Sequence, residues 1–430
     1  MKKNFFAILA LAFAVAIAPS CSDDDSTGGD NTKVSTFTET DSEYTILGVD
    51  DTEVVKIEGT IYNETITLKS DVDYLITAPV IVGEGGTLEI EAGSTIYAMP
   101  QFASYVLVLQ DGKIEAEGSA SAPITFCSAT TGSKWGGLIL NGYAEISGTN
   151  ESGNVGSTEI ASQYKYGGSN DADNSGTLSY IILSDTGAND GASVEHNGLT
   201  LNGVGYNTTI NNIYVDATLD DGVEFFGGCV NVTNLLVVDP DDDMFDFTQG
   251  YRGTLTNAYG VWTAHHQSGE EDPRGVEADG NLDGKTPSDK GQSDFKIVNM
   301  TIENNRTAAS TTSDDCLNDV IKLRRGAKAV MTNVLVKGSA SAQLTGAATL
   351  AGVKDLVDLA DGKGGAEPGS QISITNSLAN LSSVVNIVCG VSGVDGTTYS
   401  EDDYTITVNP ATANTGCLSS VFGTWTGYQF

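Results

Sequence analysis

The chain has 430 residues, 57 of them acidic against 21 basic, which gives a formal charge of −36 with only three histidines. A surface this negative repels nucleic acid and other polyanions, so those partners are excluded and divalent cations or basic partners are favoured. Hydrophobic residues, at 40%, are enough for a large core, and a repeat solenoid can run this long without splitting into domains.

At the start, Lys2 and Lys3 precede an apolar run from Phe5 to Ala18, followed by Pro19, Ser20 and Cys21. The run is too short for a membrane span and lacks a stop-transfer flank, so residues 1–20 read as a secretory signal and Cys21 as the new N-terminus. The arrangement resembles a bacterial lipoprotein signal, which makes Cys21 the expected lipidation site. Ser22-Asp23-Asp24-Asp25 is similar to the acidic tag that sends Bacteroidetes lipoproteins to the outer leaflet of the outer membrane. Residues 21–56 read as an acidic tether and lead-in, and residues 57–430 as the folded domain.

From Ile57 onward the pattern is strand and turn with almost no helical periodicity. Gly85–Ala98 (GGTLEIEAGSTIYA) and Gly112–Phe126 share one cadence, and WGGLILNG from Trp135 and NGLTLNG from Asn197 align with DGVEFFGG from Asp221. The clearest repeat sets Thr208–Gly228 against Val230–Gly250 at a period of 22 residues. It pairs Ile210 with Val232, Asn212 with Asn234, Asp221 with Asp243, Glu224 with Asp246 and Phe225 with Phe247. A fixed period rich in β-branched and aromatic residues and broken by Gly and Asp means stacked coils of β-strand. The fold class is therefore all-β: a right-handed, single-stranded parallel β-helix with long loop inserts.

Side chains alternate across a strand. In the aligned triplets Leu138–Leu140, Leu199–Leu201, Val223–Phe225, Phe245–Phe247, Val276–Ala278 and Ile321–Leu323, the flanking residues should point inward. Ile139, Thr200, Glu224, Asp246, Glu277 and Lys322 should then form an external row. A second column, Asn212, Asn234, Asn257, Asn299, Asn333 and Asn376, suits left-handed turns and a side-chain ladder at about 4.8 Å per coil. Inserts are expected at Thr149–Ala172, Thr263–Pro273, Asn281–Asp294, Thr307–Asn318 and Ser339–Glu367. Five cysteines remain after Cys21; Cys127 and Cys229 lie in strand patterns, and Cys389 with Cys417 is the best candidate disulfide.

The strings WGGLILNG, YGGSNDADNSGTLSYIIL, NGLTLNGVG, DDGVEFFGG, DDDMFDFTQGYRG and GTWTGYQF together resemble a family of Bacteroidetes outer-membrane lipoproteins with a right-handed parallel β-helix. The resemblance covers about Ile57 to Phe430. It implies the fold, a lipid-anchored cell-surface location and the company of a TonB-dependent transporter, and it brings no catalytic residues with it.

Two sets of residues could carry chemistry. Asp221, Glu224, Asp243, Asp246 and Glu277, with Asp220 and Asp242 beside them, stack like charges at sheet spacing, a cost that Ca²⁺ coordination would relieve. The alternative for Asp220 and Asp242 is turn capping. In the next insert, Trp262, His265, His266 and Arg274 offer a ring to stack on a sugar and a histidine pair for a metal. The favoured function is a surface lipoprotein that binds a ligand, nutrient, glycan or partner beside an outer-membrane transporter. The rivals are a carbohydrate-active enzyme, in which two carboxylates on neighbouring rungs act as acid and base, and an adhesin or structural surface protein.

Overall fold

The computed structural model describes residues 33–147, 154–192, 194–270, 272–281, 291–306, 317–338, 353–359, 370–376, 405–409 and 414–430. Cys21, Cys389 and most of the inserts expected after Asn281, Thr307 and Ser339 lie outside these residues. Among the described residues, 24 strands join one sheet whose neighbours pair in parallel, apart from an opening antiparallel hairpin, Thr38–Ile46 with Val49–Ile61. The chain is a parallel β-helix.

Three strand columns run along it. The first includes Tyr105–Val108, Gly137–Asn141, Leu199–Asn202, Val223–Phe226, Phe245–Thr248, Val276–Asp279 and Leu317–Arg324. The other two are separate strands in the early coils, where Thr87–Ile90 pairs with Lys113–Glu117 and Thr95–Ala98 with Ile124–Ser128. From Gly176–Ser184 onward they fuse into single bent strands, Thr209–Asp216, Val232–Val238, Thr254–Trp262, Asp294–Asn304 and Lys328–Gly338.

The bend is made by the asparagine column. Asn212, Asn234, Asn257, Asn299 and Asn333 all have φ between 54° and 61°, the left-handed region that asparagine tolerates better than most residues. Each amide donates to the one before it: Asn234 to Asn212 at 2.9 Å, Asn257 to Asn234 at 2.8 Å, Asn299 to Asn257 at 2.9 Å and Asn333 to Asn299 at 2.8 Å. The expected ladder is present over these five residues. Asn376 is not its next step, because it pairs with Val336 rather than Asn333.

The repeat pairs as the sequence predicts: Ile210 faces Val232, Val223 faces Phe245, Glu224 faces Asp246 and Phe225 faces Phe247. Inward residues form one continuous core, within which the Phe225 and Phe247 rings stack at 4.8 Å and Phe247 and Phe295 at 4.3 Å. The Asp-Gly turn before the strand has a packing cause. A Cβ on Gly222 would stand 2.3 Å from Val237 Cγ1 and 2.7 Å from the Met244 carbonyl oxygen. Cys417 is a buried residue in an apolar cluster, and the disulfide expected between it and Cys389 lies outside the described residues.

Candidate functional site

The middle residues of the first column point away from the core, as alternation requires, but they are not exposed. Glu224 is 8% exposed, Asp246 9% and Glu277 7%, so the expected external row is a covered one. The cover comes from inserts. In the insert around residues 154–170, Ile160 and Tyr164 pack on the apolar part of the same face, Leu107 and Ile139. Tyr166 packs on Phe226 and donates from its hydroxyl to Gln249 Oε1 at 2.6 Å. The sequence marks the insert but gives no sign that it folds back over the row.

Beneath this cover lie two parallel lines of polar side chains. One runs Thr200, Glu224, Asp246, Glu277, Lys322. The other lies three residues before the first line: Asn197, Asp221, Asp243, Arg274, Asp319, placed in step by backbone bonds such as Gly198 N–H to Asp221 O and Gly222 N–H to Asp243 O. Carboxylate oxygens of Asp221, Glu224 and Asp246 all lie within 4.8 Å of one another, as do those of Asp220, Asp221 and Asp242. Asp221 Oδ1 accepts the Asp243 backbone N–H of the next coil at 3.0 Å, so this residue also ties neighbouring turns together. Asn197 Nδ2 donates to Glu224 Oε2 at 2.6 Å. Asp242 Oδ1, Asp243 Oδ1, Asp246 Oδ1 and the Asn197 amide oxygen are buried without a hydrogen-bond partner.

Burial first, and then the neighbouring carboxylates, push the Asp220, Asp221, Glu224, Asp243 and Asp246 carboxyls well above the usual range. Asp242 is pushed up to about 7, again chiefly by burial and then by Glu277.

One end of the row is neutralised from within the chain. Glu277 pairs with both Arg274 and Arg324, Arg324 Nε lies 2.9 Å from Asp279, and Lys322 pairs with Asp358. Arg274, only 5% exposed, also pairs with Asp272 and stands 3.5 Å from Asp319 and 4.0 Å from Asp243. The part of the row with least internal neutralisation is therefore Asp221, Glu224 and Asp246, with Asp243 at its border 4.0 Å from Arg274; these four form the acidic well. Glu277, expected to belong to it, is a salt-bridge partner.

The second expected set does not converge. Trp262 is fully buried in the core, donates from Nε1 to the Pro240 carbonyl at 3.2 Å and packs against His266 at 4.9 Å between ring centroids. It offers no exposed face for a sugar. His265 is exposed, whereas His266 turns inward with Nδ1 3.7 Å from Asp239 Oδ1. Arg274 serves the acidic row instead. Asn197 was legible only through alignment of NGLTLNG with DGVEFFGG, which sets it level with Asp221.

The sequence profile of the family described as pectate-lyase like beta helix domain matches residues 59–364. No curated protein matches the chain. The solved catalytic domain of a GH87 α-1,3-glucanase variant, in complex with tetrasaccharides, aligns at 12% identity with a TM-score of 0.22, covering 82% of this chain and 62% of that one. A similarity this low informs neither the site nor the reaction.

Proposed function

The chain belongs to the pectate-lyase-like β-helix family, and from that premise we propose that it is a surface-displayed binding module whose acidic well holds a hard divalent cation, Ca²⁺ being the best fit. The observation that carries this reading is the mutual approach of Asp221, Glu224 and Asp246 within 4.8 Å. At an effective dielectric of about 20, two ionised carboxylates about 5 Å apart repel by about 3 kcal/mol. The unpartnered oxygens of Asp243 and Asp246 and the Asn197 amide oxygen add the further hard donors that Ca²⁺ takes, six to eight in all at about 2.3–2.6 Å. Family membership supports the scaffold role and leaves the ligand open.

The test is calorimetric titration of Ca²⁺ into metal-stripped protein, with melting curves alongside. The wild type should bind saturably and melt higher with Ca²⁺, since an ion held only by the folded state stabilises it. Asp243→Asn with Asp246→Asn should do neither. Identical wild-type melts with and without millimolar Ca²⁺ would sink the reading.

Display rests on the sequence alone: Cys21 carries the lipid, and the protein sits on the outer membrane beside a TonB-dependent transporter that takes up what it captures. Cys21→Ala should release it from the membrane fraction, because the lost acyl chains contribute about 0.8 kcal/mol per buried CH₂.

A second reading, a glycan-cleaving enzyme, is favoured by Glu224 and Asp246, neighbouring carboxyls whose raised proton affinity suits a general acid. Their burial keeps it second. Release of reducing ends from polysaccharides by the wild type and not by Glu224→Gln would promote it.

A further inference from the structure

Away from the acidic well, the last residues of the chain fold back along the outside of the bent strands. Asn333 Oδ1 accepts the backbone N–H groups of Thr415 at 2.8 Å and Gly416 at 3.2 Å, and Thr301 Oγ1 donates to the Cys417 carbonyl at 2.9 Å. The segment then passes Tyr259 through Phe422, reaches Tyr180 edge-on through Trp425 at 5.4 Å and returns to Tyr214 through Tyr428. Its apolar side chains bury an outward face made of Tyr214, Leu236, Val238, Tyr259 and Val261. Between this segment and the ends of the strands a cavity of about 420 Å³ remains, bordered by Tyr214, Asp216, Asp239, Thr263, Tyr428 and Gln429 among others.

We propose that this cavity binds a small aliphatic ammonium ion, a primary amine or diamine on a short carbon stem. Its lining includes two carboxylates, Asp216 and Asp239, and no basic residue. Lys134, His266 and Arg306 stand near these carboxylates without lining the cavity: Lys134 is held by the Ala217 carbonyl and Asp185, His266 packs on Trp262 with Nδ1 3.7 Å from Asp239 Oδ1, and Arg306 lies over the Trp262 ring. The chain's net charge of −36 adds a field that concentrates cations and repels anions.

The tyrosines separate an organic cation from a metal ion. Tyr214 and Tyr428, with ring centroids 6.4 Å apart and planes at 54°, form a corner whose π faces attract an ammonium and whose carbon edges take an alkyl stem. A hard metal ion gains little from such walls, because it needs oxygen ligands on most sides. Around the carboxylates, Ser184, Thr263, Thr426 and Gln429 add hydroxyl and amide groups. Asp239 already accepts from the Thr263 N–H at 2.7 Å and hydroxyl at 2.6 Å and has His266 Nδ1 at 3.7 Å, which fixes its carboxylate toward one wall and leaves lone pairs for a further donor. Burial holds Asp216 up at about 6 and raises Asp239 as well, so a bound cation would relieve a cost that the unliganded site carries. The volume lies within the usual range for small-molecule sites.

The test uses the full chain and two probes of matched shape, 1,5-diaminopentane and 1,5-pentanediol, titrated calorimetrically at constant ionic strength. Saturable binding of the diamine and none of the diol is expected. Asp216→Asn should weaken the diamine at least tenfold, and Thr426→Lys, which places a tethered ammonium in the cavity, should abolish it, with melting curves confirming that both variants fold. Asp243→Asn with Asp246→Asn, which alters only the acidic well, should bind the diamine as the wild type does. Equal binding of diol and diamine, unchanged affinity in Asp216→Asn, or loss of binding in the acidic-well variant instead would overturn the proposal.

Discussion

Asn234 and Asn212, 22 residues apart in sequence, are joined by a 2.9 Å hydrogen bond between their side-chain amides, and both hold left-handed backbone angles. Asn257, two steps along, gives one such bond and receives another. In Asn257→Ala both bonds are lost and alanine is left at φ 59°. The expected destabilisation is about 3–4 kcal/mol, from about 1 kcal/mol for each of the two lost bonds and 1–2 kcal/mol of backbone strain. Asn257→Gly should recover the strain alone. Urea unfolding would check both, and equal stability of the glycine and alanine variants would show that backbone angle is not part of the effect.

Phe247 lies between Phe225 and Phe295, with ring centroids at 4.8 and 4.3 Å, and is fully buried. Removing the middle ring should open a cavity that neither neighbour can fill without leaving its own rung. Phe247→Ala should cost about 3–5 kcal/mol, and Phe247→Leu much less. Comparable losses from the two substitutions, read by chemical denaturation, would mean that the stack carries little of the core's stability.

How far the sequence carries differs between scaffold and site, and particular residues show why. Ile210 with Val232 and Phe225 with Phe247 were legible because each coil repeats the side-chain alternation of the last, and repetition turns local pattern into register. The ladder was legible for the same reason, except at its start. Tyr180 occupies the left-handed position one rung before Asn212, and a tyrosine there gives no signal. The burial of Glu224 and Asp246 could not be read, because alternation tells inside from outside relative to the coil but not whether an insert lies over the outside. Trp262 failed for the converse reason: its place at the end of Thr254–Trp262 looked like a loop, whereas the strand carries it into the core.

The acidic well should make metal-free protein less stable as pH rises. Asp242 sits at about 7 in the folded chain and near 3.9 when unfolded, and Asp221, Glu224, Asp243 and Asp246 are shifted in the same direction. Between those values the folded state binds more protons than the unfolded one, so stability is greatest at the acid end of the window and falls as pH increases through about 7. Differential scanning calorimetry of metal-stripped protein should show a lower Tm at pH 8 than at pH 5.5, with Ca²⁺ reducing the difference. A metal-free Tm that climbs over this range would show that these carboxylates are compensated by something other than protons.

Arg274 supplies the well's nearest internal positive charge, which makes its removal informative about what the remaining carboxylates want. It is buried against Asp243, Glu277, Asp272 and Asp319, and loss of one partner from a buried ionic network typically costs 3–5 kcal/mol, because the partners left behind stay charged and desolvated. Metal-free Arg274→Gln should therefore melt well below the wild type, and Arg274→Lys should lie between them, keeping the charge but not the planar fork that meets several carboxylates at once. If Ca²⁺ and Arg274 relieve the same repulsion, Ca²⁺ should raise the Tm of Arg274→Gln by more than it raises that of the wild type. A purely structural arginine predicts the same Ca²⁺-induced rise in both proteins, so the two accounts separate on the difference between the shifts rather than on the stability of the variant, and a variant that starts out unstable still decides between them.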